Sequence, residues 1–301
     1  MPGESAARRR GLLLVLGATV LWSLAGYFAR LIAHLDIGTV LFGRAGFGAL
    51  CISAWAALEY RRGVLGPRLG FGPLSPLIVA LSATAISAYV GAVMTTTVAD
   101  VLVIYATMPF VAAGMSYVIN KERASPRTLV AAAIAICGVI VMVASGLGSG
   151  RLLGQALSML MTATFALMAV LQRRDPSMSM SSINAAAAFL ASMFGYSFSA
   201  HPPLDLHDIA ILFIFGLTTV CIAFVMFMEG AKLVPSAEAG LVSMLDVALG
   251  PLWVFLAFGE NPGVATLIGG AFVIGAVIWR VIPEIRGVAS APDVAGPSWP
   301  L

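Results

Sequence analysis

Residues 99–122 read ADVLVIYATMPFVAAGMSYVINKE, and residues 237–260 read AEAGLVSMLDVALGPLWVFLAFGE. The two stretches align without a gap at an offset of 138 residues, which matches Asp100 with Glu238 and Glu122 with Glu260. Each is apolar over about the 20 residues that a helix needs to span a bilayer, apart from Asp246 in the second. The pair therefore predicts two membrane-spanning helices at corresponding places in a repeated fold.

The rest of the chain is equally apolar. It has 301 residues, of which 60% are hydrophobic and 10% charged, with a mean hydropathy of +0.98. A soluble globular protein is about 25% charged, so a composition with 10% charged residues excludes this class of protein. Runs of this length without the alternation of barrel strands predict helices. The apolar segments are 11–32, 37–60, 74–93, 99–119, 127–146, 152–172, 181–199, 208–230, 237–258 and 264–282.

The repeat covers nearly the whole chain. An offset of 143 matches Trp22 with Phe165 and Arg30 with Arg173, and the offset of 138 matches Tyr89 with Phe227. We expect an all-α integral membrane protein with ten transmembrane helices as two inverted five-helix repeats. Its parts are a cytoplasmic N-terminus (1–10), a first repeat (11–146), a second, inverted repeat (151–282) and a cytoplasmic tail (283–301), disordered from Ala289.

The basic residues predict the orientation. With the N-terminus inside and ten crossings, fourteen of the seventeen Lys and Arg residues fall on the inner side. This is the bias that inner loops show. Only Arg30 and Arg151 fall outside, and Arg44 lies within a helix. Corresponding loops of the two halves carry opposite bias, as expected when five helices, an odd number, separate them. We therefore expect a multi-pass protein of the cell (inner) membrane with both termini cytoplasmic.

Particular residues then resemble a known family. Several segments are similar to the repeat signature of the drug/metabolite transporter superfamily in its EamA-like branch. They are Thr97-Val98-Ala99-Asp100, Met108-Pro109, Lys121-Glu122-Arg123 and Cys137-Gly138, together with Tyr89. The arginine at position 44, Arg44, is also similar to this branch. The second copy contains Pro235-Ser236-Ala237-Glu238, Phe258-Gly259-Glu260 and Gly275. It departs from the pattern at Asp246-Val247, where an acid–proline pair is usual.

This resemblance implies two repeats around a central cavity and export of small metabolites, notably amino acids, including aromatic ones. We expect a secondary transporter that works by alternating access, a mechanism that suits two inverted halves. A multidrug exporter or another metabolite exporter of the same fold is the alternative. An intramembrane enzyme or a channel is less favoured: the three histidines fall outside the apolar segments, and no metal motif, catalytic residue or cofactor site is expected.

Several helix faces carry one large aromatic residue among small or polar ones. These faces predict that Trp22, Tyr89, Phe165 and Phe227 line the cavity, together with Thr19 and Ser82. Small residues also let helices pack closely, so packing is the alternative for the same faces. Aromatic walls and few charges at depth favour a small zwitterionic or neutral substrate over a multiply anionic one.

Asp246 is the acid that the pattern places deepest. It lies about 13 Å into its helix at 1.5 Å per residue. An ionised carboxylate there costs about 2.5–3.5 kcal/mol on insertion scales, so it should face the cavity or a partner such as Ser243. Its repeat counterpart is Met108, and we expect Ser243 and Met108 to line the cavity with it.

The other charged residues have structural or gating interpretations. Asp100 and Glu238 lie in first helical turns, where the helix dipole stabilises an acid. Arg44, seven residues into its helix, is shallow enough to extend its side chain outward. Pro109 belongs to the same group as a helix breaker, and Glu229 and Lys232 are expected to form an ion pair. The expected partners are a small-molecule substrate and membrane lipid, without nucleic acid; monomer and homodimer both stay open.

Overall fold

The computed structural model describes residues 2–65, 69–121, 125–146, 150–172, 174, 178–234 and 236–285, without the side chains of 2–6, 146, 236–238, 241 and 280–285. Every regular element among them is a helix, so the all-α prediction is confirmed for this part of the chain. The Glu238 side chain lies outside the described residues. So do Arg68, Glu122, Arg123, Arg173, Pro235, Arg286 and the tail.

The helices follow one another as ten segments, three of which are interrupted. They are α1a (Pro2–Ser23) and α1b (Ala25–Leu31), α2 (Ile37–Arg61), α3 (Ser75–Thr95), α4a (Val98–Tyr105) and α4b (Met108–Asn120), α5 (Pro126–Gly146), α6 (Leu152–Gln172), α7 (Met180–Phe198), α8 (Leu206–Gly216, continuing through a π-helical stretch Leu217–Ile222 to Ala223–Ala231), α9a (Ser236–Ser243) and α9b (Asp246–Phe258), and α10 (Val264–Ile285).

Within the described ranges, seven helices are long and apolar enough to cross a membrane. They contain α1 to α6 and α8. In the ninth and tenth segments the apolar helices are shorter, Leu245–Phe258 and Val264–Trp279. The chain is therefore a multi-pass membrane protein, and the count of ten crossings stays a prediction.

Side chains that accept hydrogen bonds begin several of these helices. Asp36 accepts from the Thr39 amide at 3.0 Å at the start of α2, and Asp205 accepts from the Asp208 amide at 2.7 Å at the start of α8. Thr97 does the same for Asp100 at 3.1 Å before α4a. Such caps satisfy amides that the helix itself leaves free, which matters most where water is scarce.

Glycines bring paired helices into backbone contact. A Cβ at Gly195 of α7 would lie 2.6 Å from the Phe42 amide of α2, and one at Gly269 of α10 would lie 2.4 Å from the Gly138 carbonyl oxygen of α5. These two pairs, α2 with α7 and α5 with α10, are among the closest in the molecule. Likewise α3 packs against α6, and α8 packs against α1.

Polar contacts define two opposite faces of the bundle. On the first, called the basic face, Arg174 donates to Asn120 at 3.0 Å, which brings the end of α4b beside the end of α6. On the second, called the Arg30 face, the Thr39 and Ser199 hydroxyls are 2.6 Å apart, joining the start of α2 to the end of α7. Helix α1 ends on the Arg30 face, where Arg30 donates to the Thr96 carbonyl. Helix α6 begins on the same face, because Gly154 near its start packs against Thr96.

Candidate functional site

Helices α4 and α9 are interrupted at corresponding positions near their middles. Helix α4a ends at Tyr105 and α4b begins at Met108, while α9a ends at Ser243 and α9b begins at Asp246. The repeat offset matches both residues of the first break with both residues of the second. Discontinuous helices of this kind expose backbone groups and helix ends at membrane depth, where transporters place their binding sites.

Pro109 explains the first break. It lies in the first turn of α4b and has no amide to donate to Tyr105, so the chain turns through tighter hydrogen bonds, such as Thr107 N–H to the Ile104 carbonyl at 3.1 Å. The second break lacks a proline at that place. Pro251 lies further along, inside α9b, and the Val247 amide donates to the Met244 carbonyl at 3.1 Å across the turn.

Asp246 is the first residue of α9b, where the partial positive charge of the helix end favours a carboxylate. One of its oxygens, Oδ1, is buried without a hydrogen-bond partner. The Ser243 hydroxyl donates instead to the Ala239 carbonyl at 2.9 Å. Oδ1 therefore accepts no hydrogen bond from Ser243.

Arg44 does not extend outward, and that expectation is wrong. Its residue is only 7% exposed, and its guanidinium carbon lies 5.2 Å from the Tyr89 ring centroid and 4.7 Å from that of Phe215. Its Nε and Nη1 are buried without a hydrogen-bond partner. Depth along a helix does not indicate the direction in which a side chain points, and here Arg44 faces the interior of the bundle.

The four predicted aromatic residues form separate groups. Trp22 lies 5.2 Å from Phe227 between ring centroids, and its indole N–H donates to the Thr219 carbonyl at 2.9 Å. Phe165 lies 6.0 Å from Tyr105, and Tyr89 covers Arg44. The structure thus places Tyr89 against Arg44, Phe165 beside Tyr105 at the first break, and Trp22 against Phe227 and Thr219 of α8.

The remaining predicted lining residues are mostly engaged. Thr19 is fully buried and donates to the Val15 carbonyl at 2.8 Å. Ser82 is buried and lies 3.4 Å from the Asn184 side-chain oxygen, whereas Met108 is half-buried at the break. Hydroxyls that donate within their own helix leave less capacity for a ligand, and whether these residues line a cavity stays a prediction.

Sequence reasoning missed Tyr105 and Phe215. Tyr105 is the repeat counterpart of Ser243, so the register that identified Ser243 was a signal for it. Phe215 is 1% exposed and contacts both Arg44 and Phe28, whose ring centroid is 5.6 Å away. Nothing in the pattern of α8 distinguishes Phe215 from its apolar neighbours.

An ion pair lies on the Arg30 face and joins several helix ends. Arg30 Nε donates to Glu260 Oε2 at 2.6 Å, and its two terminal nitrogens donate to the carbonyls of Val93 at 2.6 Å and Thr96 at 2.9 Å. Glu260 also accepts from the Val98 amide at 3.0 Å. These bonds connect the end of α1b, the end of α3, the start of α4a and the loop between α9b and α10. We call this set the outer link.

Asp100 lies beside the outer link and is completely buried. Its carboxylate accepts from the hydroxyls of Thr266 at 2.6 Å and Thr96 at 2.9 Å, and from the Gln155 amide at 3.3 Å. Arg151 lies 3.4 Å away. A buried carboxylate with this many donors is a stable structural element, in keeping with the interpretation of Asp100 as structural.

A groove of about 390 Å³ opens on the basic face, between the ends of α2 and α8 and the start of α7. Glu59 accepts a hydrogen bond from Ser181 along it. Lys232 and Glu229 form the predicted ion pair there at 2.6 Å. Its apolar lining includes Trp55, Met178, Met180, Phe224 and Met228.

One histidine lies elsewhere than expected. Helix α8 begins at Leu206, so His207 is in its first turn. Potential metal-ligand atoms of Asp205, His207 and Asp208 lie within 4.8 Å of one another. Asp205 caps the helix, and Asp208 pairs with His34 at 3.2 Å. These contacts account for both acids without an ion.

Apolar helices with matched interruptions, and a buried acid at one of them, are features of a multi-pass membrane transporter. The EamA-like transporter family matches residues 9–144 and, a second time, residues 148–282. The chain belongs to this family, within the drug/metabolite transporter superfamily, and family membership indicates a carrier of metabolites or drugs rather than an enzyme.

Comparison with solved structures gives the fold independently. One crystal structure of a protein aligns with 93% of this chain and 99% of its own, with a TM-score of 0.64 and 18% sequence identity. At this identity the likeness concerns the fold alone. Comparison with curated proteins gives no match.

Proposed function

We propose that this protein exports amino acids, including aromatic ones, across the cell (inner) membrane by alternating access. The observation that carries this proposal is the pair of matched helix breaks, at one of which Asp246 has a buried oxygen without a partner. A carboxylate in that position can accept the ammonium group of an amino acid. Tyr105 at the first break and Phe165, whose ring centroid lies 6.0 Å from that of Tyr105, suit an apolar or aromatic side chain.

Alternating access requires two halves that exchange roles, and inverted repeats supply them. In support, α1 ends on the Arg30 face where α6 begins, and α3 packs on α6 as α8 packs on α1. We propose that ten membrane crossings form two inverted five-helix repeats, 11–146 and 151–282. The outer link and the groove on the basic face are what a conformation closed outside and accessible from the cytoplasm would have.

A multidrug exporter is the second candidate, and the groove on the basic face favours it. Methionine and aromatic side chains line this groove, and such surfaces adapt to ligands of varied shape. Glu59 adds negative charge, which suits lipophilic cations, whereas Glu229 is paired with Lys232. The two candidates therefore differ in whether the transported molecule must carry an ammonium and a carboxylate together.

Flux into proteoliposomes distinguishes them. Purified protein is reconstituted, and uptake of labelled phenylalanine, leucine, glutamate and a lipophilic cation is measured against empty vesicles. We expect phenylalanine and leucine to move, and glutamate, with its extra negative charge, to move slowly. Flux of the lipophilic cation without flux of any amino acid would replace the first proposal with the second.

A further inference from the structure

The groove on the basic face carries one negative charge that no base among its described lining residues neutralises. Glu59 and Glu229 are the two acids of this lining, and Lys232 is its base. Lys232 Nζ lies 2.6 Å from the Glu229 carboxylate, so these two charges offset each other. Glu59 is half-buried and accepts from the Ser181 hydroxyl, which occupies one of about four acceptor positions of a carboxylate. Glu59 therefore keeps the capacity to attract a positively charged ligand.

Aromatic and sulfur-containing side chains line the groove around this acid. Trp55 lies four residues before Glu59 in α2, which places both on one face of that helix. Phe224 and Met228 have the same spacing on α8. The face of an indole ring attracts a cation, and an unbranched thioether adapts to the shape of a ligand. The groove thus combines a single charge with apolar walls, as a site for a hydrophobic organic cation requires.

A third wall of the groove is held in place by backbone hydrogen bonds. The Ser179 amide donates to the Gly70 carbonyl at 2.9 Å, which ties the loop after α2 to the start of α7. Gly70 has a φ of +71°, and a Cβ there would lie 2.8 Å from the Ser179 amide nitrogen, so this contact depends on glycine. The Ser179 hydroxyl accepts from the Ser182 amide at 3.3 Å as the cap of α7. The volume of about 390 Å³ is within the range of preformed small-molecule sites.

We propose that this groove binds a hydrophobic organic cation, with Glu59 as its counter-ion and the Trp55 ring against its charge. The proposal goes beyond amino-acid export, because it concerns binding at the basic face and holds whether or not the cation crosses the membrane. An anion in the same place would be repelled by the Glu59 carboxylate. Arg61 and Arg62 follow Glu59 in α2, but both are exposed, where water and salt screen their charges.

Two ions of the same shape and opposite charge test the assignment. Binding of labelled tetraphenylphosphonium and of labelled tetraphenylborate to purified protein in detergent is measured for the wild type and for Glu59→Gln, which keeps the size of the side chain. We expect the variant to bind tetraphenylphosphonium at least about tenfold more weakly, since it loses an ionic attraction at short range. Its affinity for tetraphenylborate should stay equal or rise. Because each ion is compared between proteins in the same detergent, its partition into the micelle cancels.

Further variants locate the bound cation. Trp55→Leu should weaken tetraphenylphosphonium binding about two- to fivefold, the contribution of a cation–ring contact at a site open to water. Asp36→Asn removes the same charge from the Arg30 face and is the control, expected to bind both ions as the wild type does. Loss of tetraphenylphosphonium affinity in Asp246→Asn but not in Glu59→Gln would place the cation at the second helix break and overturn the assignment.

The remaining outcomes separate this site from the export proposal. Equal weakening of both ions in Glu59→Gln would mean that Glu59 shapes the groove without attracting charge, and it would overturn the assignment, as would wild-type protein that binds neither ion. Amino-acid flux is measured on the same preparations. Flux without cation binding refutes the groove site alone. Cation binding that depends on Glu59, without amino-acid flux, supports the groove site and refutes the export of amino acids.

Discussion

At the residue scale, we expect the charge of Asp246 to matter more to transport than to folding. Its buried oxygen has no hydrogen-bond partner, and the helix end beside it only partly offsets the loss of water. Removal of this charge should therefore leave the free energy of unfolding unchanged or raise it. Asp100 is the contrast, because its carboxylate has several donors and the loss of the charge would leave them unsatisfied.

We accordingly expect Asp246→Asn to lower amino-acid flux at least about tenfold, the factor for one hydrogen bond to a charged group. Its thermal midpoint in detergent should equal or exceed that of the wild type. The control is Asp36→Asn, because asparagine caps the start of α2 about as well as aspartate does. Wild-type flux in Asp246→Asn at every pH between 5 and 9 would mean that the charge has no role.

Tyr89 and Trp22 should differ in their effect on substrate choice. Tyr89 contacts the buried Arg44, whereas Trp22 packs on Phe227 and bonds to Thr219. We expect Tyr89→Ala to shift relative flux from aromatic to small amino acids, with normal abundance in the membrane. Trp22→Ala should change the profile less and lower the thermal midpoint more. An unchanged profile in both variants would make these aromatics packing residues.

At the scale of elements, α4 and α9 show how much of the structure the sequence predicts. Pro109 and the repeat register together locate both breaks, because the break that Pro109 causes corresponds to residues 244–245 in the second copy. The inward direction of Arg44 could not be predicted, since the position of a residue along a helix does not fix the face that its neighbours cover. The contact of Phe215 with Arg44 could not be predicted either, because it depends on how α8 packs against α2.

Close packing of α5 on α10 depends on glycine at one position of α10. A Cβ at Gly269 would lie 2.4 Å from the Gly138 carbonyl oxygen, a backbone atom that cannot move aside without shifting a helix. We expect Gly269→Ala to lower the free energy of unfolding by about 1–3 kcal/mol, which is typical of overpacking. The thermal midpoint should fall with it. Gly275→Ala, in the same helix with open space around it, should be neutral or stabilising. Equal midpoints of the two variants would contradict the packing explanation.

The outer link should control access from the Arg30 face. The side chains of its ion pair, Arg30 and Glu260, are 18% and 21% exposed. Glu260→Gln weakens this pair and should open that face more often. A cysteine in place of Phe28, in protein whose three native cysteines are replaced, would then react faster with a maleimide that cannot cross the membrane. The control is Asp205→Asn on the same face. An unchanged labelling rate in Glu260→Gln would exclude the outer link as a gate.

At the scale of the whole molecule, charge placement and repeat symmetry point to one topology. With ten crossings, fourteen of the seventeen basic residues are predicted to fall on the side that carries the N-terminus. An even number of crossings returns the C-terminus to that side. We therefore expect green fluorescent protein fused to the C-terminus to fluoresce. Alkaline phosphatase inserted after Pro203, in the loop before α8, should be active because this topology predicts that the loop lies outside.

The two reporters together test more than orientation. If the C-terminal fusion lies outside while the loop fusion is active, the three segments after the loop make an even number of crossings, which two five-helix halves of opposite orientation do not allow. The shared position of Thr39 and Ser199, which joins the start of α2 to the end of α7 on the Arg30 face, requires both of these ends to be on the same side as the inserted phosphatase. A third reporter between Ile32 and Asp36 must therefore agree with the one after Pro203. Disagreement between those two would contradict the arrangement of the helices themselves, whereas agreement with a cytoplasmic C-terminus is the result that alternating access between inverted repeats requires.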